Sequence, residues 1–347
     1  MSSKPFLKLI KNSQLLALTG SNALLKPFYQ LNYLVAAKEC GLLELLLDAP
    51  KGFEQLAEVY CTDAKAREAL EAWLSLGVRL GYLGLDARGY ALKGLARKLA
   101  LPQNDAALAL LQEAAGLHSK LISQTVRKLR NGELWNLEDQ DGEIIARSSR
   151  IMEAFQTEAI DRFFPVSGVA SLLEIGCGSG CYIKYAANRN PSLTALGLEV
   201  QPKVADVARR NISEWGLERR VRIEIGDIWL RAPYECFDIV TLYNNIYYFP
   251  VESRVSLLQH IGQFIKPGGF LLLITCCQGG SLAVEVLNLW GAATLTGGRL
   301  PGKHELISQL HDAGFQRVQS IRLIPGEELF AFKALPGPSG SCKVDPL

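Results

Sequence analysis

The sequence predicts two domains: a helical front domain and a doubly wound, mostly parallel α/β sheet of seven strands. Three observations predict this. The chain has 347 residues, more than one ordinary core holds. Apolar residues recur at helical spacing over the front part of the chain. From Ser171 onward, strand-like and helix-like runs alternate, the rhythm of parallel strands joined by crossover helices.

The front domain is expected over residues 1–147. Helical periodicity runs through FYQLNYLVAAKECGLLELLL and again through DAALALLQEAAGLHSKLISQTVRKL. Between them, GLLELLLDAP is a helix ending at a proline and GFEQLAEVY a short helix. CTDAKAREALEAWLSLGVRLGYL is a third, with Thr62 or Asp63 as N-cap. LGLDARGYAL reads as two short strands around an Asp-Ala-Arg-Gly turn. Three helices and a hairpin make a winged helix. That unit suggests DNA binding, but Lys65, Arg67, Glu68 and Glu71 mix both signs on its third helix. A groove-reading helix needs net positive charge against phosphate. The favoured role is a module for dimerisation and for covering a substrate.

The second domain is expected over residues 148–335. Its strands are SLLEIG, LTALGLEV, RVRIEI, FDIVTLY and FLLLITC, with FQRVQSIRLIPGEELFAFKA as a closing hairpin around Pro325-Gly326. CYIKYAANRN, PKVADVARRNISEWG, SRVSLLQHIGQFI and KHELISQLHDAG are helices, and the stretch after the fifth strand reads as loose. Residues 336–347, rich in Pro, Gly and Ser, are expected to be a flexible tail.

Bulk properties exclude several classes. Charge is balanced, with 37 basic and 35 acidic side chains, so neither a nucleic-acid surface nor a polybasic membrane patch is implied. The longest apolar run, FLLLITCC, is far short of the roughly twenty residues of a membrane span. Asn12, Ser13 and Gln14 interrupt any signal-peptide core. Eight cysteines without a C-x-x-C pair read as free thiols in a reducing, cytoplasmic compartment. His118, His260, His304 and His311 have no metal-ligand spacing, and no metal is expected.

The sharpest signal is LLEIGCGSG, an acid-x-G-x-G-x-G run leaving the first strand of the sheet. Gly176, Gly178 and Gly180, two residues behind Glu174, allow a tight turn and close approach of a ligand to backbone. A dinucleotide fingerprint would read G-x-G-x-x-G and a P-loop Gly-Lys-Ser/Thr; neither is present. Glu199 ends the second strand and suits ribose hydroxyls, and Asp227, after the third, suits an adenine amino group. Ile228 and Trp229 offer apolar surface to the ring. Helix capping is the competing reading for each acid. Two acids beside one glycine loop favour an adenosine with a cationic substituent, S-adenosylmethionine, converted to S-adenosylhomocysteine.

These residues, with LGLEV, IEIGDI, FDIVTLYNN and IKPGG, resemble the class I S-adenosylmethionine-dependent methyltransferases, whose Rossmann-like sheet this pattern matches. With the helical front domain, the resemblance extends to the dimeric small-molecule O-methyltransferases, including natural-product tailoring enzymes. It implies a homodimer through the front domain, a small-molecule acceptor, and no nucleic acid or membrane partner. It places Met152, in SSRIMEAF, at the methionine end of the cofactor, with Val200, Tyr243 and Asn244 among the cofactor residues. His118, Trp135, Asn245 and Trp290 fall among candidate substrate contacts. Family members carry a catalytic histidine at the position held here by Tyr247. Tyrosine, with an ordinary pKa of about 10, is a poor base near neutrality. Tyr247 and Tyr248 are therefore expected to orient or stack on the acceptor, which is an amine, an activated carbon or an oxygen already ionised. Two alternatives remain: a cofactor-binding regulator that has lost catalysis, and a winged-helix DNA-binding regulator.

Overall fold

The structure is a computed structural model describing residues 4–234 and 236–337. It divides into two compact units that meet between Gly116 and Leu117. Each is described by itself.

The first unit is helical. A long helix, Gln14–Glu39, buries only its last third, through Tyr33, Leu34, Val35 and Ala37. The helix Ala64–Leu80 begins at Asp63, whose carboxylate accepts the Ala66 amide at 2.8 Å, and stops at Gly81 with φ +83°. A hairpin follows: β1 (Leu83–Asp86) and β2 (Gly89–Leu92), closed where Asp86 pairs with Gly89. The expected order of helices and hairpin is present. Lys65 is ion-paired with Glu68 and Arg67 with Glu54, so both cations are matched by acids.

The second unit holds a seven-stranded sheet. Its strands are β3 (Ala170–Ile175), β4 (Leu193–Glu199), β5 (Val221–Ile225), β6 (Phe237–Tyr243), β7 (Ile265–Cys276), β8 (Phe315–Arg322) and β9 (Leu329–Pro336). They lie in the order β5-β4-β3-β6-β7-β9-β8, parallel through β7 and antiparallel at the β9-β8 end. The central strands are near-continuous apolar runs because helices cover both faces. Chain order reverses at β3, which pairs with both β4 and β6. In such sheets a crevice opens beyond the carboxyl ends of the strands at that reversal.

Three expectations need correction. The unit boundary precedes residue 147, because the segment after Leu117 packs with the sheet unit. There the Trp135 amide donates to Ala293 O at 2.9 Å, and the Leu295 amide donates to Trp135 O at 2.8 Å. The stretch read as loose contains a helix, Leu282–Ala293, which glycines at 279, 280, 291, 297 and 298 disguise in the sequence. Cys40, Cys61, Cys177, Cys181, Cys276 and Cys277 are free thiols, whereas Cys236 is disulfide-bonded. The tail expected over residues 336–347 lies outside the described residues from position 338 onward. Among the described residues, no helix is long and apolar enough to cross a membrane, and no cluster of ligating side chains suits a metal.

Candidate active site

β3 ends at Ile175, and the chain turns out of the sheet through the glycine run. Gly176, Gly178 and Gly180 have φ of +67°, +54° and +80°, a region that strains any residue with a β-carbon. At Gly176 a β-carbon would also lie 2.5 Å from Asn245 Nδ2. The loop is anchored to β4. The amides of Gly176 and Cys177 both donate to Leu198 O, at 2.8 and 3.0 Å. The Gly178 amide donates to Glu199 Oε2 at 3.0 Å, and the Gln201 amide to Glu199 Oε1 at 3.0 Å. Asp227 accepts the Trp229 amide at 2.9 Å. Asp227 therefore caps the turn that follows it, whereas Glu199 ties the glycine loop to the chain after β4. Each carboxylate oxygen has two lone pairs, so these bonds leave room for a ligand bond as well.

Beyond the ends of β3 to β6 lies a cavity of about 730 Å³. Its walls include Glu174, Gly176, Gly178, Glu199, Val200, Asp227, Ile228, Tyr243, Asn244, Asn245, Tyr247 and Tyr248. Gly180 is just behind, as the left-handed cap of helix Cys181–Arg189. The wall also gathers buried polar atoms with no hydrogen-bond partner: Gln156 Oε1, Glu174 Oε2, the Tyr243 hydroxyl, Asn244 Oδ1 and Asn245 Oδ1. Leaving one such atom unpaired costs about 1–3 kcal/mol, so several facing one cavity mark a place kept for a polar ligand. Burial pushes the Glu174 carboxyl well above the usual carboxylate range. Burial, and then the Glu174 charge, push the Tyr243 hydroxyl up in the same way. An uncompensated acid of this kind fits a cationic guest.

Tyr247 and Tyr248 stand on a 3-10 turn, Ile246–Tyr248, with ring centroids 4.8 Å apart. Phe249, Leu295, Ile145 and Leu137 continue this apolar part of the wall. Among the described residues, the lining contains no histidine and no lysine, and its acids are Glu174, Glu199 and Asp227 at the strand ends.

Several of the predicted site residues do not line the cavity. Met152 packs against the apolar core instead of the cavity; Ser149, Arg150 and Gln156, on either side of it in sequence, line the wall. His118, in the turn Ala114–His118, is not a wall residue. Trp135 and Trp290 are buried in a cluster of their own, centroids 6.5 Å apart, and do not line the cavity. Trp135 Nε1 donates to Thr125 Oγ1 at 2.9 Å, which keeps that ring structural. Cys276 and Cys277 are buried away from the cavity, their thiols pushed up to about 11 and about 12 by burial. His260 is half-buried; its Nε2 lies 2.9 Å from Ile228 O and its ring stacks on Trp229. Gln156 was missed in the sequence; its place on the apolar stripe of helix Glu153–Phe163, beside Ala159 and Ile160, is the signal that could have found it.

A parallel sheet reversing at β3, a left-handed glycine loop and acids on successive strand ends make up the fold of the class I S-adenosylmethionine-dependent methyltransferases, which this chain shares. Residues 172–269 match the methyltransferase-domain family. An N,N-dimethyltransferase, OxyT, of Streptomyces rimosus is 25% identical over 344 residues, covering 93% of this chain and 96% of that protein. The mitomycin 7-O-methyltransferase MmcR has a similar fold, with TM-score 0.76 at 22% identity over 94% of this chain and all of that one. Human N-acetylserotonin methyltransferase, solved with S-adenosylmethionine, gives TM-score 0.71 at 19% identity, covering 93% and 98%.

Proposed function

We propose that the chain methylates nitrogen on a small, largely apolar aromatic amine, as a homodimer paired through its front unit. The cofactor supplies an electrophilic sulfonium methyl. Glu199 is assigned to the ribose hydroxyls, Asp227 to the adenine amino group, and Ile228 and Val200 to the faces around the base. Glu174, Gln156, Tyr243 and Asn244 are assigned to the amino-acid end, where their unpaired atoms supply acceptors and a donor. Asn245 holds the loop, since its Nδ2 donates to Ile175 O at 2.7 Å, and presents its free Oδ1 to the cavity.

The observation carrying the amine reading is the acceptor wall itself. The resemblance puts Tyr247 at the position of the family's catalytic histidine, and Tyr248, Phe249 and Leu295 in the same wall offer no base. A neutral amine brings its own lone pair and needs no base before attack. Orientation and exclusion of water then supply the rate, which is what a tyrosine pair and an apolar wall provide. The name of the OxyT relative supports the same acceptor atom. Dimerisation is supported by Leu16, Leu24 and Phe28, spaced eight and four apart on one helix and 81%, 75% and 57% exposed. With the helices and hairpin of residues 42–92 forming a winged helix, the paired basic residues argue against DNA as partner.

The test is transfer of labelled methyl to a panel of arylamines and their matched phenols. Label on amines and not on phenols is expected. Label on phenols alone overturns the acceptor reading. Binding of S-adenosylhomocysteine with no transfer to any extracted metabolite would favour a regulatory protein.

A further inference from the structure

Arg254 begins the helix Arg254–Gly262 and is fully buried, yet it does not line the cavity. Its Nε donates to Phe249 O at 3.2 Å and its Nη2 to Arg299 O at 2.6 Å, while Nη1 has no partner. Both acceptors are backbone carbonyls, and among the described residues no carboxylate is hydrogen-bonded or ion-paired to the guanidinium. A buried cation held this way is expensive to desolvate and is poor as a source of stability. Burial lowers its pKa to about 10, so it stays charged at neutral pH.

The two carbonyls belong to the two segments that build the acceptor wall. One is the turn carrying Tyr247, Tyr248 and Phe249; the other follows Leu295 and Thr296. The segments are also stitched directly, since the Gly298 amide donates to Tyr247 O at 2.9 Å. Gly298 is required at that point: a β-carbon there would lie 2.9 Å from Arg254 Nη2 and 3.0 Å from Phe249 O. Arg299 is fixed in turn by a bidentate pair with Glu305, at 2.7 and 2.8 Å.

We infer that Arg254 is a positioning residue for methyl transfer: its planar fork clamps the tyrosine turn to the 295–299 segment and so sets where Tyr247 and Tyr248 meet the acceptor. This rests on the acceptor wall assigned above, but not on the acceptor being an amine. Lysine keeps the charge but lacks the rigid planar fork that fixes the directions of the two bonds.

The test uses the full chain with Arg254→Lys, Arg254→Met and, as an independent way of opening the same clamp, Gly298→Ala. Hydrogen exchange is followed with S-adenosylhomocysteine bound. Peptides covering 244–252 and 294–300 are expected to exchange about tenfold faster in all three variants, with 170–175 unchanged. The Kd for S-adenosylhomocysteine stays within about twofold of the parent. With whichever arylamine or phenol of the panel is turned over, KM for that acceptor rises about tenfold or more while KM for the cofactor holds, because misplacement of a wall contact costs on that scale. Arg254→Lys recovers less than half of the loss. Unchanged exchange in both peptides, or acceleration spread equally over 170–175, overturns the inference. So does a KM for cofactor that rises in step with that for acceptor. A panel with no turnover at all counts against the function proposed above and leaves the exchange result to decide this one.

Discussion

The Gly178 amide lies 3.0 Å from Glu199 Oε2, so the acid that ends β4 shapes the glycine loop that leaves β3. Its other oxygen holds the Gln201 amide at the start of the next helix. One carboxylate therefore holds both the glycine loop and the chain after β4 at this end of the cavity. Glu199→Ala is expected to unmoor both amides. Loss of charge-assisted bonds of about 1.5–3 kcal/mol each predicts at least about tenfold weaker binding of S-adenosylhomocysteine and a lower Tm. Calorimetry and thermal unfolding check this; an unchanged Kd would remove Glu199 from the site.

Glu174 predicts a proton-linked step. Its carboxyl faces Cys177, Tyr182 and Tyr243, none of them cationic, and burial holds its pKa above the ordinary glutamate range. A bound cation reverses that shift, so S-adenosylhomocysteine, through its ammonium, should displace a proton. Binding heats will then vary with the ionisation enthalpy of the buffer above the ordinary glutamate range, and Glu174→Gln will abolish the variation. The same raised pKa has a stability sign. The ligand-free fold binds more protons than the unfolded chain, so this contribution is complete below the unfolded glutamate pKa and is lost as pH rises through the folded one. Glu174→Gln in the ligand-free protein should flatten that fall while weakening ligand binding.

Gly176→Ala tests the loop geometry. A methyl at φ +67° is strained, and it would meet Asn245 Nδ2 at 2.5 Å. Strain of about 1–3 kcal/mol is expected, together with displacement of the side chain that holds Ile175 O. Cofactor affinity falls by about tenfold or more while the front unit keeps its helicity, as seen by calorimetry and circular dichroism.

Tyr247→Phe separates the hydroxyl from the ring. If the hydroxyl orients the acceptor, kcat/KM falls about five- to tenfold, the value of one neutral hydrogen bond, and the Kd for S-adenosylhomocysteine holds. Turnover equal to that of the parent would leave Tyr247 a wall residue only.

Leu24→Glu with Phe28→Glu tests the front unit. Both side chains are exposed on the long helix, away from its buried end at Tyr33 to Ala37. Sedimentation of the parent is expected at twice the chain mass and of the double variant at the chain mass. A parent that sediments as a monomer at micromolar concentration rules out this pairing.

Periodicity and punctuation made most of the fold legible. Strands alternating with helices, and glycines after the first of them, leave few parallel arrangements open, so the sheet and its loop follow from local pattern. That Glu199 and Asp227 line one cavity was legible because topology brings the ends of parallel strands to one edge whatever the side chains around them. Trp135, Trp290 and His118 were misplaced because contact with a substrate depends on packing between segments distant in sequence. The two tryptophans instead found each other. The helix Leu282–Ala293 was missed because its flanking glycines argue for loop, and tertiary burial of Val284, Trp290 and Ala293 overrides them.

By itself the sequence determined the order of elements, the left-handed loop and the two strand-end acids, since each is a local consequence of glycine, proline and hydrophobic period. Only the tertiary structure decided which polar groups are left unpaired around the cavity, that Gln156 and not Met152 faces it, and that Arg254 joins the two segments of the acceptor wall. Burial and hydrogen-bond satisfaction are properties of the packed whole, and no stretch of chain carries them until its neighbours are in place.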